Sequence, residues 1–233
     1  KQYDDNLVLD DVSFEVSRGE RVAIIGPNGI GKSTLLKIAM DEVSADLGET
    51  EWGYEAQIGY FPQDHTDSLG SGKQTVLAAL WDECAGQGEG FARGKLSDVL
   101  FSADDVQKRI ENLSGGEAAR LLMARMCVKN PNVLVLDEPT NHLDLESIEA
   151  MARDLKKFDG TILFVSHDRW FVNQLATRVI EISPTGVEVF EGGYEEFCKR
   201  GDDHLDVEAA LEKERELKRK GKKGKKKGKK GGG

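Results

Sequence analysis

The chain has 233 residues, a mass of 25.7 kDa and a formal net charge of −10. That length suits one large domain, or one domain with a subdomain, able to bury a core without disulfides or metals. No run approaches 18 apolar residues, so no membrane-spanning helix is expected in these residues, and nothing in the opening residues reads as a signal peptide. The charge is uneven. Residues 212–233 hold 12 basic and 3 acidic residues, a net of +9, which leaves the first 211 residues at −19. An acidic body therefore carries a basic tail. Lys1 in place of Met, with a strand-like segment almost at once, is expected of a piece of a longer polypeptide. Cys84, Cys127 and Cys198 are scattered, odd in number and lack CxxC spacing. Free thiols in a reducing cytoplasm are expected from them.

In chain order, Val12–Val16 alternates apolar and polar residues, the pattern of a half-buried strand. Arg18-Gly19-Glu20 reads as a turn, Val22–Ile25 as a buried strand, 26–31 as a Gly-rich loop and Lys32–Met40 as a helix. Ile58–Phe61 reads as a strand stopped by Pro62. Residues 75–110 are mixed and mostly helical, with a flexible stretch expected around Gly86, Gly88, Gly90 and Gly94. Then follow a helix (118–128), an apolar strand (133–136), an amphipathic helix (146–157), a buried strand (161–165) and a short helix (170–176). The segments 179–182 and 187–190 read as a closing hairpin around Pro184-Thr185-Gly186. Strands alternating with helices predict an α/β fold with a largely parallel sheet. Beyond it, 206–220 has helical Glu and Lys spacing, and the Gly/Lys run after Lys220 predicts disorder.

Three motifs carry chemistry. The run Gly26-Pro27-Asn28-Gly29-Ile30-Gly31-Lys32-Ser33 fits G-x-x-x-x-G-K-[ST], with a buried strand before it and a helix after it. Glycines let successive backbone N–H groups turn inward on phosphate oxygens, and the helix N-terminus adds positive potential. Lys32 is expected on the β- and γ-phosphates and Ser33 on Mg²⁺, with Thr34 beside it. The apolar strand 133–136 ends in Asp137 and Glu138. Ligands of parallel sheets bind outside strand carboxyl ends, so Asp137 is placed to hold Mg²⁺ and Glu138 to polarise an attacking water. Taken alone, the two acids also fit a polar strand end capping the next helix. Third, Ser114-Gly115-Gly116-Glu117 opens a helix with capping-box spacing, and its glycines expose amides that a phosphate can approach.

Together these motifs resemble those of ATP-binding cassette (ABC) ATPases over about residues 1–200. The resemblance implies a P-loop NTPase cassette: a mostly parallel core sheet, an antiparallel β part and a helical signature subdomain at about 64–130. Residues 201–233 are then a charged linker and tail. It also implies roles. Gln63 resembles the Q-loop glutamine, which senses Mg²⁺ and the attacking water. His167 resembles the switch histidine on the γ-phosphate, and Asp144, in Asn141-His142-Leu143-Asp144, belongs to a D-loop. Tyr3 stands where the family stacks an aromatic ring on adenine. Ser114, Gly115, Gly116 and Glu117 form the signature, which acts on the ATP of a second cassette. His65 is expected at the surface, His142 to be structural or interfacial and His204 to be non-catalytic, and Trp52, Trp81 and Trp170 to be packing residues.

The run Glu-Pro-Thr-Asn-His-Leu-Asp at 138–144 and Ser-His-Asp-Arg at 166–169 resembles the ABC-F subfamily, cytoplasmic twin-cassette proteins many of which act on ribosomes in translation. Gly192-Gly193-Tyr194-Glu195-Glu196-Phe197 resembles the close of their second, C-terminal cassette. The resemblance implies Mg²⁺-dependent ATP hydrolysis and pairing with a second cassette, in the same full-length chain or as a homodimer. It further implies a ribosome or rRNA partner, with a membrane transporter domain as the alternative. The Lys-rich tail either binds RNA phosphates through counterion release or serves only solubility.

Overall fold

The computed structural model describes residues 1–4, 6–64, 69, 72–183 and 186–200. The tail expectations, His65, His204 and the turn residues Pro184 and Thr185 lie outside the described residues.

The chain opens with a two-residue antiparallel pair, β1 (Gln2–Tyr3) and β2 (Asn6–Leu7). The main sheet has six strands: β3 (Arg21–Ile25), β4 (Ile58–Phe61), β5 (Val133–Asp137), β6 (Thr161–Val165), β7 (Arg178–Ser183) and β8 (Gly186–Phe190). Their order in space is β4-β5-β6-β3-β7-β8. The first five run parallel, and β8 pairs antiparallel with β7.

Helices cover both faces: α1 (Lys32–Ala39), α2 (Val76–Trp81), α3 (Glu89–Asp98), α4 (Gly115–Val128), α5 (Leu145–Lys157), α6 (Arg169–Leu175) and α7 (Tyr194–Cys198). Alternate strand residues feed two cores. Ala23, Ile25, Phe61, Leu134, Leu136, Ile162 and Phe164 pack under α2 to α7, with Phe164 and Phe171 edge to face at 5.8 Å. Val22, Ile24, Val135, Leu163, Val165 and Ile180 pack on the opposite face with Leu36 of α1, Phe14, Val16 and Trp52. Burial on both faces is why these parallel strands read as unbroken apolar runs.

Two expectations need correction, and one helix is new. Val12–Val16 is not a strand. Val12, Phe14 and Val16 are half-buried and Ser13 and Glu15 exposed, so the alternation is real, but no ladder pairs the backbone. Gly90 and Gly94 lie inside α3 and do not break it; a Cβ at either would touch nothing. Finally, α7 was not foreseen; it covers the core with Tyr194 and Phe197. In addition, α4 starts a turn earlier than the apolar pattern suggests. The Ser114 hydroxyl accepts the Glu117 N–H and the Glu117 carboxylate accepts the Ser114 N–H, a complete capping box.

Candidate functional site

Four loops leave the carboxyl ends of the adjacent parallel strands β4, β5, β6 and β3. These strand ends and loops hold Gln63, Asp137 with Glu138, His167 and the 26–33 loop, so the strand order brings together segments far apart in sequence.

The 26–33 loop is shaped by close approach. Gly26 has φ 147°, and a Cβ there would sit 2.2 Å from the Ile182 carbonyl oxygen. Gly31 has φ 111°, and its Cβ would meet Val8 Cγ1 at 2.7 Å. Neither position admits a side chain without moving its neighbours. Gly26→Ala is therefore expected to lower stability by more than about 2 kcal/mol, combining backbone strain with overpacking, as read by urea denaturation. A midpoint equal to that of the unmutated chain contradicts this packing. Within the loop, Pro27 and Ile30 are half-buried, while Asn28 and Gly29 are exposed.

Lys32 and Ser33 open α1, with Thr34 half-buried behind them. The Lys32 side chain is buried, and its Nζ donates to the Gly26 carbonyl at 2.7 Å and the Pro27 carbonyl at 3.0 Å. The Ser33 hydroxyl donates to Asp137 Oδ1 at 2.9 Å. Asp137 is fully buried, and its Oδ2 has no hydrogen-bond partner among the described residues. Burial raises the Asp137 pKa above the usual carboxylate range; the Ser33 hydrogen bond and the Lys37 and Lys32 charges offset this only in part. A buried carboxylate oxygen left over beside a hydroxyl is a hard-oxygen donor set, the kind Mg²⁺ takes, and the residues fit that ion.

Glu138 lies one residue beyond β5, buried, with φ 51°. Positive φ in a non-glycine residue costs about 1–3 kcal/mol and persists where the surroundings enforce it. Here the Glu138 N–H donates to the Val165 carbonyl at 2.9 Å. Glu138 Oε2 accepts the His167 N–H at 3.1 Å, and Oε1 lies 3.2 Å from His167 Nε2. The His167 side chain is 40% exposed, so the pair reaches from the core to the surface. Such a carboxylate can accept a proton from a bound water, and the imidazole can donate to an anion.

The other expected residues stand differently. Gln63 is exposed, two residues past β4. Tyr3 is 45% exposed, with the Lys1 ammonium 5.2 Å from its ring centroid. The 114–117 turn packs on the 142–147 turn: a Cβ on Gly115 would lie 3.1 Å from His142 Cβ, and one on Gly116 2.8 Å from the His142 carbonyl oxygen. Arg120 Nη1 reinforces this contact by donating to Ser147 Oγ at 3.1 Å. Glu117 is turned back to the cap and to Lys108, 2.7 Å away. Burial pulls its carboxyl up, but Lys108 and the Ser114 hydrogen bonds outweigh that and hold it below its ordinary pKa. Asp144 caps α5 by accepting the Ser147 N–H at 2.8 Å. The Ser147 amide and hydroxyl hold the Asp144 carboxyl below its ordinary pKa.

One pair escaped sequence reasoning. Thr140 Oγ1 and Ser166 Oγ, both buried, lie 3.2 Å apart across the two loops. Two small polar residues next to acids and a histidine were the available signal; only the strand pairing shows that they meet.

Known proteins share this pattern. The family model described as ABC transporter matches residues 9–141. YdiF of Bacillus subtilis (strain 168), an ATP-binding protein by name, is 45% identical over 207 residues, covering 89% of this chain and 32% of YdiF. ABC transporter F family member 2 of Arabidopsis thaliana is 38% identical over 94% of this chain and 32% of its own length. The energy-dependent translational throttle protein EttA of Escherichia coli (strain K12) is 37% identical over 86% of this chain and 37% of its own. The chain thus spans about a third of the length of these curated relatives. A family match over more than half of its residues, joined to a Lys32 loop facing the strand-end acids, makes this chain an ATP-binding cassette of the ABC family, related to its F members.

Proposed function

We propose that the cassette hydrolyses ATP with Mg²⁺ while paired with a second cassette, and that the protein carrying it acts on the ribosome in translation. The observation that supports hydrolysis best is the Glu138–His167 pair, which joins the ends of β5 and β6 one residue beyond the Ser33–Asp137 pair.

In this reading the 26–31 loop amides, Lys32 and Thr34 bind the phosphates, with Tyr3 against the adenine. Ser33 and Asp137, assisted by Gln63, hold Mg²⁺, which when bound neutralises charge on the β- and γ-phosphates. Glu138 orients and accepts a proton from the attacking water, and His167 donates to the γ-phosphate. Ser114, Gly115 and Gly116 present amides to the partner's ATP, with Glu117 keeping their turn capped and Asp144 shaping the adjoining loop. ATP then favours the closed pair and hydrolysis the open one. Residues 1–200 form the cassette, with 64–130 as its helical subdomain and 201–233 as linker and tail; it is the C-terminal cassette of a cytoplasmic protein.

The ribosome assignment draws on the 138–144 and 166–169 motifs and on the translational name of EttA. No helix of the described residues is long and apolar enough to cross a membrane. Full-length Glu138→Gln protein is expected to co-sediment with ribosomes in ATP and not in ADP. Co-purification with an integral membrane protein, and no ATP-dependent ribosome binding, would replace this reading with a transporter ATPase.

A further inference from the structure

We infer that the buried Thr140–Ser166 hydroxyl pair is a positioning clasp that holds the Glu138 carboxylate against His167, an inference that rests on the ATPase reading. The ladder between β5 and β6 ends at Asp137 and Val165. Past that point the chains diverge into two loops that must still present Glu138 and His167 to one another. Glu138 itself makes three of the cross-links, its N–H to the Val165 carbonyl, Oε2 to the His167 N–H and Oε1 to His167 Nε2. The clasp is a further one that does not involve Glu138; its two residues are 8% and 3% exposed, with the oxygens 3.2 Å apart.

Each half of the clasp is fixed to its own loop. The Thr140 carbonyl accepts the Leu143 N–H at 3.2 Å, and the Glu138 carbonyl accepts the Asn141 N–H at 3.1 Å, so 138–143 is two overlapping turns, with Thr140 inside the first and opening the second. Ser166 Oγ accepts the Asp168 N–H at 3.1 Å, and the Asp168 carboxylate caps α6 by accepting the Phe171 N–H at 2.9 Å. The clasp thus joins the turn that carries Glu138 to the start of a helix packed in the core. Glu138 sits at φ 51°, a conformation that relaxes unless its neighbours hold it. A hydroxyl at each end does what a methyl cannot, because burying one without the other leaves an unsatisfied polar group. Neither side chain needs to touch nucleotide, so both are positioning residues.

The test uses Thr140→Val, which keeps the shape, Ser166→Ala, the double variant, and Thr140→Ser as the conservative control. In the full-length protein, kcat for ATP is expected to fall at least about tenfold in each single variant, with KM within about twofold, because small misplacement of a reacting group is costly. The double variant is expected to be no slower than the worse single one, the mark of a shared interaction. Thr140→Ser is expected to restore most of the rate. A second arm is independent of hydrolysis: by NMR on the nucleotide-free chain, the His167 amide is expected to exchange at least about tenfold faster in both single variants. Folded Thr140→Val protein with unchanged kcat, or an unchanged His167 exchange rate, overturns the clasp. If the unmutated protein hydrolyses no ATP, the ATPase reading fails, and the exchange arm still decides the clasp.

Discussion

Glu138→Gln is expected to slow ATP turnover by about 100- to 10,000-fold, the range that a positioned general base contributes, while leaving ATP binding in place. The substitution separates geometry from basicity. Glutamine has the same length, and its amide oxygen can accept the His167 N–H that Glu138 Oε2 accepts at 3.1 Å. The left-handed backbone at φ 51° is unchanged in its demands, and the strand pairing of Asp137 with Val165 is untouched. What disappears is the negative charge and the ability to take a proton from water. Since the loop around Lys32 and the Ser33–Asp137 pair are intact, binding remains, and the closed pair accumulates with ATP inside. Phosphate release at steady state, set beside the ATP retained through a desalting column, checks both halves of the expectation.

Lys32→Ala acts on the other half. ATP affinity is expected to fall at least about 100-fold, since hydrogen bonds to charged groups are worth about 1.5–3 kcal/mol each and the ammonium can make more than one to phosphate. The Lys32 head now lies among the Gly26 and Pro27 carbonyl oxygens, buried at the mouth of the loop, with α1 running away from it. Removing it leaves those carbonyls without that donor and removes the positive charge beside Asp137. Lys32→Arg is not a rescue, because a planar fork does not occupy the place of a compact ammonium. Fluorescent-ATP titration gives the affinity, and affinity within threefold of the unmutated value would remove Lys32 from the phosphate site.

Much of this could be read in advance because the same physics writes both levels. The run Val133-Leu134-Val135-Leu136 is apolar throughout since β5 is buried on both faces, and the acids begin at the strand's carboxyl end. The 26–33 loop is legible through its glycines, of which Gly26 and Gly31 are demanded by contacts with Ile182, Val8 and Leu9. What stayed hidden depends on partners far away in sequence. Val12–Val16 has the burial alternation of a strand, yet pairing needs a second chain segment, which no local pattern reveals. Gly90 and Gly94 look like breakers, but α3 tolerates them because Ala92 and Leu96 are buried between them and beyond. The order β4-β5-β6-β3 is a long-range fact, and with it the meeting of Thr140 and Ser166. The capping role of Glu117 is legible in the Ser114–Glu117 spacing; its contact with Lys108, nine residues upstream, is not.

The most direct measurement is a paired assay on one preparation of full-length protein and its Glu138→Gln variant: bound ATP after gel filtration and phosphate released per minute, with Mg²⁺ present. Unmutated protein is predicted to release phosphate and keep little ATP, and the variant to keep ATP and release almost none. Equal phosphate release from the two proteins would contradict the account, since Glu138 would then not be the group that activates water.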